Sequence, residues 1–230
     1  MMKELSLVYS LLLKEYGNQG WWPLSKDGLH SLHHKGAPAS DKDRFEIMVG
    51  AILTQNTAWT NVEKALHNLN KEKLLDLNRM HNADTNYLAS LIRPSGYYNI
   101  KAKKLKNLTS FLLTFRSFDE LFRHENIREL LLSVNGIGPE TADSIILYSA
   151  EKPYFVIDAY TRRIFSRVLG KEFSTYHEWQ MLFMDNLKHD TEMFKEYHAL
   201  IVEHAKNHCK TKPICEGCPL SRKCNYLKTS

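Results

Sequence analysis

At 230 residues, with 43% hydrophobic and 25% charged, the chain is long enough to bury cores of its own and too apolar to be a disordered tract. No run approaches the ~20 consecutive apolar residues of a membrane span, and the apolar stretch of MMKELSLVYSLLLKEYG stops at Lys14 and Glu15 without a small-residue cleavage site. The net charge of +5 permits a polyanionic partner without establishing one.

The N-terminal stretch therefore reads as an amphipathic first helix, not a signal peptide, and the expected location is cytoplasmic, nucleoid-associated if the source is prokaryotic. Residues 21–40, WWPLSKDGLHSLHHKGAPAS, are rich in Gly, Pro, Ser and His and read as a linker. Their histidines His30, His33 and His34 are taken as a solvated loop, not a metal site. DRFEIMVGAILTQNT comes next, with Phe45, Met48, Ile52 and Leu53 at helical spacing behind the start signals Ser40, Asp41 and Asp43. Capping-box patterns recur at Ser117/Glu120 and Thr175/Glu178. EMFKEYHALIVEHAKNHC sets Phe194, Tyr197, Ile201 and Val202 along one long helix that leads to Cys209. No segment alternates as a strand, so the fold class is all-α.

VNGIGPETADS, residues 134–144, interrupts this pattern. Residues 126–134 and 139–150 read as two helices joined by the Gly136–Gly138 turn, with Pro139 at the first helical position, where a missing N–H costs nothing. Glycines allow positive φ and close approach, and the free amides at the second helix's start favour an anion. Such a hairpin holds a phosphate backbone without reading base sequence; a plain helix–helix turn is the alternative. Eighteen residues past Glu140, in FVIDAYTRRIF, Asp158 follows three apolar residues and precedes a helix carrying Arg162 and Arg163. It is the N-cap, and capping favours its ionised form.

All four cysteines fall in the last 22 residues, as C-x5-C-x2-C-x5-C: Cys209, Cys215, Cys218 and Cys224. Four thiolates so close in sequence form one structural centre, a [4Fe-4S] cluster or zinc; ligand count does not separate the two.

Together these features resemble the endonuclease III superfamily of DNA glycosylases over residues 41–224. The resemblance implies a two-lobed helical protein acting, as a monomer and away from membranes, on double-stranded DNA containing a damaged base. One lobe would be a helical body over residues 41–157, with the helix–hairpin–helix at about 126–150. The other would join 1–40 to 158–230, with the iron–sulfur loop at 209–224. The family's cluster spacing is usually C-x6-C-x2-C-x5-C, so the first interval here is one residue short. By motif, Gln55 in ILTQNT is the residue that fills the gap left by the flipped base. Tyr97 in PSGYYNIKAKKL is a wedge, with Lys101, Lys103, Lys104 and Lys106 near phosphate. Gly136, Ile137, Gly138 and Thr141 form the hairpin's DNA contact.

Asp158 matches the family's catalytic aspartate. Glu140 stands where family members that also cleave the strand carry a Schiff-base lysine; it has no amine, which implies a monofunctional enzyme without lyase activity. Its other role is to suit the dipole of the helix's first turn. GWWPL, QNTAW and RPSG further resemble the 3-methyladenine glycosylase branch, in which two aromatic rings sandwich the alkylated base. That resemblance makes Trp21, Trp22, Pro23 and Trp59 the base pocket, with Trp21 and Trp59 as the stacking rings. Members of that branch can lack the metal cluster, so the chain mixes features of two groups. Excision of oxidised or mismatched bases, with or without lyase activity, and a non-catalytic iron–sulfur DNA-binding protein are the competing readings.

Overall fold

Helices follow the apolar periodicity along the chain. The computed structural model describes residues 1–25, 31–32 and 36–229, so His30, His33 and His34 lie outside the described residues. The elements are α1 (Met2–Tyr16), β1 (Leu24–Ser25), β2 (Ser31–Leu32), α2 (Asp41–Leu53), α3 (Trp59–Lys71), α4 (Leu77–Asn82) and α5 (Thr85–Leu91). They continue with α6 (Tyr98–Leu112), α7 (Phe118–Arg123), α8 (Ile127–Leu132), α9 (Pro139–Ser144), α10 (Ala159–Leu169), α11 (Tyr176–Met184), α12 (Thr191–Asn207) and α13 (Tyr226–Thr229). The all-α class holds, with one departure: β1 and β2 form a two-residue antiparallel ladder inside the expected linker. Among the described residues no helix is long and apolar enough to cross a membrane.

The chain divides into two units, Met1–Trp21 with Pro153–Ser230, and Trp22–Lys152. Both boundaries differ from the expected ones at residues 41 and 158. The chain enters the second unit at Trp22 because that ring packs on α2, where a Cβ on Gly50 would lie 3.1 Å from the indole. Leu24 is buried beside it, and the Ser25 N–H donates to Glu46 Oε1 at 2.7 Å. Burial raises the pKa of this carboxylate, and the Ser25 hydrogen bonds and the Lys42 charge work against that rise.

In the unit Trp22–Lys152, α2 is buried from Phe45 through Leu53 and serves as the central helix. Ser40 caps it through the Asp43 N–H. α9 runs on into a π turn over Ile145–Ser149, so the second hairpin helix is longer than its regular α segment. Fully buried Asp143 on α9 receives Arg128 of α8 at 2.7 and 3.2 Å, locking the two hairpin helices together. Ser117 caps α7 as expected, but Glu120 reaches the Arg116 N–H instead of closing the box on Ser117.

In the other unit, Phe155 of the extended run before Asp158 stacks on Phe183 at 4.0 Å, with Phe165, Phe194 and Tyr197 edge-on around the pair. Aromatic pairs of this kind add about 0.5–1.5 kcal/mol each beyond the area they bury. The Tyr197 hydroxyl donates to Leu5 O at 2.8 Å, tying α12 to α1. Thr175 and Glu178 form the complete capping box at α11.

Candidate nucleic-acid interface and catalytic carboxylate

The hairpin is built from its interior outward. Val134 and Ile137 are buried, and the Ile137 N–H closes the turn on Val134 O at 3.0 Å, so the Ile137 side chain anchors the turn and does not face outward. Gly136 has φ +100°, and a Cβ there would sit 2.3 Å from Lys104 Cγ. Gly138 is exposed, with extended backbone and no atom within 4 Å of an added Cβ. The two glycines therefore serve differently: the first fits the fold, and the second leaves room for an incoming group. Gly136→Ala should cost about 1–3 kcal/mol in denaturant unfolding, whereas Gly138→Ala should leave stability unchanged and weaken duplex DNA binding.

Gln55 lies just past α2 and is joined to this hairpin. Its Nε2 donates to Thr141 Oγ1 at 2.9 Å and to Gly136 O at 3.4 Å, while its Oε1 accepts from Lys104 Nζ at 2.5 Å. Of the expected DNA contacts, Gln55, Gly136 and Thr141 are thus brought together. Tyr97 is 67% exposed, at φ +46°.

Two lysines correct the sequence reading. Lys101 is buried and donates to Leu53 O and Ser95 O at 2.8 and 2.7 Å, so it reaches no phosphate. Lys106 donates to Met80 O, His81 O and Ala83 O, covering the C-terminal carbonyls of α4. Lys103 is the exposed member of the four. Trp22 and Pro23 are buried too. The Trp22 ring packs edge-on against Trp59 and Tyr148 at 5.7 and 5.1 Å, as a core ring backing the half-buried Trp59.

In the other unit, Asp158 caps α10 as expected. Its Oδ1 accepts the Thr161 N–H at 2.6 Å and the Thr161 hydroxyl at 2.7 Å. Its Oδ2 lies 3.5 Å from His198 Nε2 on α12, and Trp21 meets that imidazole edge-on at 5.8 Å. Burial alone would raise the carboxyl's pKa. The His198 hydrogen bond and charge, with the Thr161 N–H and hydroxyl, outweigh burial and hold it below the usual carboxylate range.

The four cysteines are free thiols lining one small cavity. Among the described residues, no three histidine, cysteine or carboxylate side chains are grouped closely enough to hold a single metal ion. Arg167 of α10 donates to Cys209 Sγ at 3.2 Å and to Lys210 O and Thr211 O, and Arg163 donates to Cys209 O. Burial, followed by the charges of the other three thiols, raises the Cys218 pKa. Four thiolates there need a bound cation, so the donor set fits a metal centre. Burial also holds His204 neutral, its pKa pushed down to about 4. The neutral ring lies between the Tyr16 hydroxyl, 3.0 Å from Nδ1, and Cys218 Sγ, 3.8 Å from Nε2.

With this geometry in place, the chain can be set beside known proteins. A model of the HhH-GPD superfamily of base excision DNA repair proteins matches residues 49–189, more than half the chain. The chain belongs to that superfamily. A Methanocaldococcus jannaschii protein provisionally named DNA repair glycosylase MJ1434 is 44% identical over 223 residues, 94% of each chain. The solved structure of H. pylori 3-methyladenine DNA glycosylase (MagIII) bound to 1,N6-ethenoadenine is 31% identical with a TM-score of 0.69, covering 89% of this chain and 96% of that one. A trapped endonuclease III–DNA covalent intermediate shares the fold at a TM-score of 0.79, with 19% identity and coverage of 100% and 98%. The endonuclease III resemblance holds, and so does the likeness to the 3-methyladenine branch.

This HhH-GPD chain is therefore a base-excision DNA glycosylase, a hydrolase of N-glycosyl bonds. Its sequence carries a signal for two site residues that the motif reading passed over. His198 and His204 fall at helical spacing with Phe194, Tyr197 and Ile201, on the buried stripe of α12, where a histidine must find a partner.

Proposed function

We propose that the glycosylase is monofunctional. It hydrolyses the N-glycosyl bond of an alkylated purine such as 3-methyladenine, in duplex DNA and as a monomer, and leaves the strand intact. The observation that carries this reading is the pairing of a carboxylate held ionised at Asp158 with a carboxylate, not an amine, at Glu140 in the exposed first turn of α9. Without an amine at position 140, no Schiff base forms there and strand cleavage is not coupled to base loss. Asp158 stabilises the positive charge that grows on the deoxyribose as the bond breaks, and orients the water that adds to C1′. An N3-alkylated adenine is already cationic, so it takes the bonding electron pair and leaves neutral, without a proton from a general acid. The reading assigns the base to Trp21 and Trp59, both half-buried, through cation–π attraction.

Cys209, Cys215, Cys218 and Cys224 would each give one thiolate to a [4Fe-4S] cluster, whose contribution is to hold the C-terminal segment against α10. Arg163 and Arg167 already fasten that segment. Iron, not zinc, in elemental analysis of the purified protein separates the two metals.

The test is base release from DNA treated with a methylating agent, with strand breaks scored before and after alkali. Methylated purine should be released, and breaks should appear only after alkali. Breaks without alkali would overturn the monofunctional reading. No release would move the search to oxidised and mismatched bases.

A further inference from the structure

Lys101 carries a charge into the interior of its unit. It stands on α6 with 2% of its surface exposed, and both its described partners are carbonyls, Leu53 O at 2.8 Å and Ser95 O at 2.7 Å. Each of these carbonyls ends a helical element: Leu53 closes α2, and Ser95 closes the 3-10 turn Arg93–Ser95. Terminal carbonyls lack intrahelical donors and form the negative end of the helix dipole, so one ammonium satisfies two helix ends at once. Burial, helped by the charge of Lys104, lowers the Lys101 pKa to about 8, so the cation is costly to keep where it is.

The residues just beyond the two carbonyls give that cation its use. Two residues past Leu53 is Gln55, in a turn that continues through Asn56 at φ +53°. Past Ser95 come Gly96 at φ +67° and Tyr97 at φ +46°, a conformation a tyrosine holds only when its surroundings impose it. Ser95 is itself fully buried, with its hydroxyl on Ile92 O, so the base of this turn is fixed while its tip is bare.

We infer that Lys101 is a positioning residue for lesion recognition: its ammonium clasps the Gln55 turn and the Tyr97 turn together, so that the two probing side chains enter the duplex at one fixed spacing. The inference rests on the reading of Gln55 and Tyr97 as the residues that enter the stack. Lys101 touches no DNA. Its effect is confined to the spacing of the two residues that do.

The experiment compares Lys101→Met with the unaltered protein in two measurements. In hydrogen exchange, amides of residues 54–57 and of residues 95–98 should both exchange roughly tenfold faster or more in the variant, while α8 and α9 stay protected. In single turnovers, release of a lesion from fully paired duplex should fall roughly 10- to 100-fold. Release of the same lesion facing a one-nucleotide gap, where the stack is already open, should stay near the unaltered rate.

Leu105→Ala, a cavity in the same helix at a fully buried position, is the control for lost stability and should slow both substrates alike. Faster exchange in one turn only, or in neither, overturns the clasp. Equal slowing on paired and gapped DNA by Lys101→Met reduces Lys101 to a stability residue. If the unaltered protein releases no base from any duplex, the glycosylase reading fails, and the exchange measurement still decides the clasp. Where the Met variant does not fold, Lys101→Gln, too short to bridge both carbonyls, carries the same two measurements.

Discussion

Asp158→Asn should slow release of methylated purine by roughly 10²- to 10⁴-fold in single turnovers, with duplex DNA binding retained. Asparagine is as good an N-cap as aspartate, so the bonds from Thr161 to Oδ1 survive and α10 keeps its start. What is lost is the charge, and with it the acceptor that Oδ2 offers His198. The variant therefore separates the carboxylate's electrostatic work from its structural role. A near-normal rate would mean that the stabilising charge lies elsewhere and that Asp158 is a cap alone. Because the folded carboxyl is held below its ordinary pKa, it contributes stability that is fully present above the unfolded value and is lost as pH falls through the folded one. Thermal unfolding of the unaltered protein and of Asp158→Asn should accordingly differ most near neutral pH and converge in acid.

Glu140→Lys should create strand cleavage where there was none. The position lies in the exposed first turn of α9, beside the Gly136–Gly138 turn, so a lysine there faces solvent and is not buried. Exchanging an acid for a base in a first turn costs about 0.3–1 kcal/mol through the helix dipole, too little to unfold the hairpin that Arg128 and Asp143 lock. An amine at this site would attack C1′, expelling the base from the substrate or, with loss of water, condensing with the ring-opened aldehyde of the product. The imine then breaks the strand by β-elimination of the 3′ phosphate, and borohydride reduces it to a stable protein–DNA adduct. The adduct should form with Glu140→Lys and not with the unaltered chain. Adduct formation by the unaltered chain would identify another amine as a nucleophile and end the monofunctional reading.

Features whose physics is local were readable from the residues alone. Ser40, Ser117, Asp158 and Thr175 were legible as caps because an N-cap bonds to an amide two or three residues on, and the structure has all four in place. The glycine hairpin, the aspartate and the cysteine spacing identified the superfamily because each is a contiguous motif. Tertiary structure decided which side chains of such a motif work inward. Lys101 and Lys103 sit two residues apart in a lysine-rich stretch. Only the fold shows that the first is drawn under two helix ends while the second is exposed, since burial depends on which elements meet. Trp21 and Trp22 are adjacent letters, yet one stays half-buried beside His198 and the other becomes a core ring over Gly50. His198 and His204 show helical spacing in the sequence, but their partners, Asp158 and Tyr16, lie 40 and 188 residues away, and no local rule reaches that far. Hydrogen bonds between distant segments exist only after the chain has folded, so positions were readable in advance and partners were not.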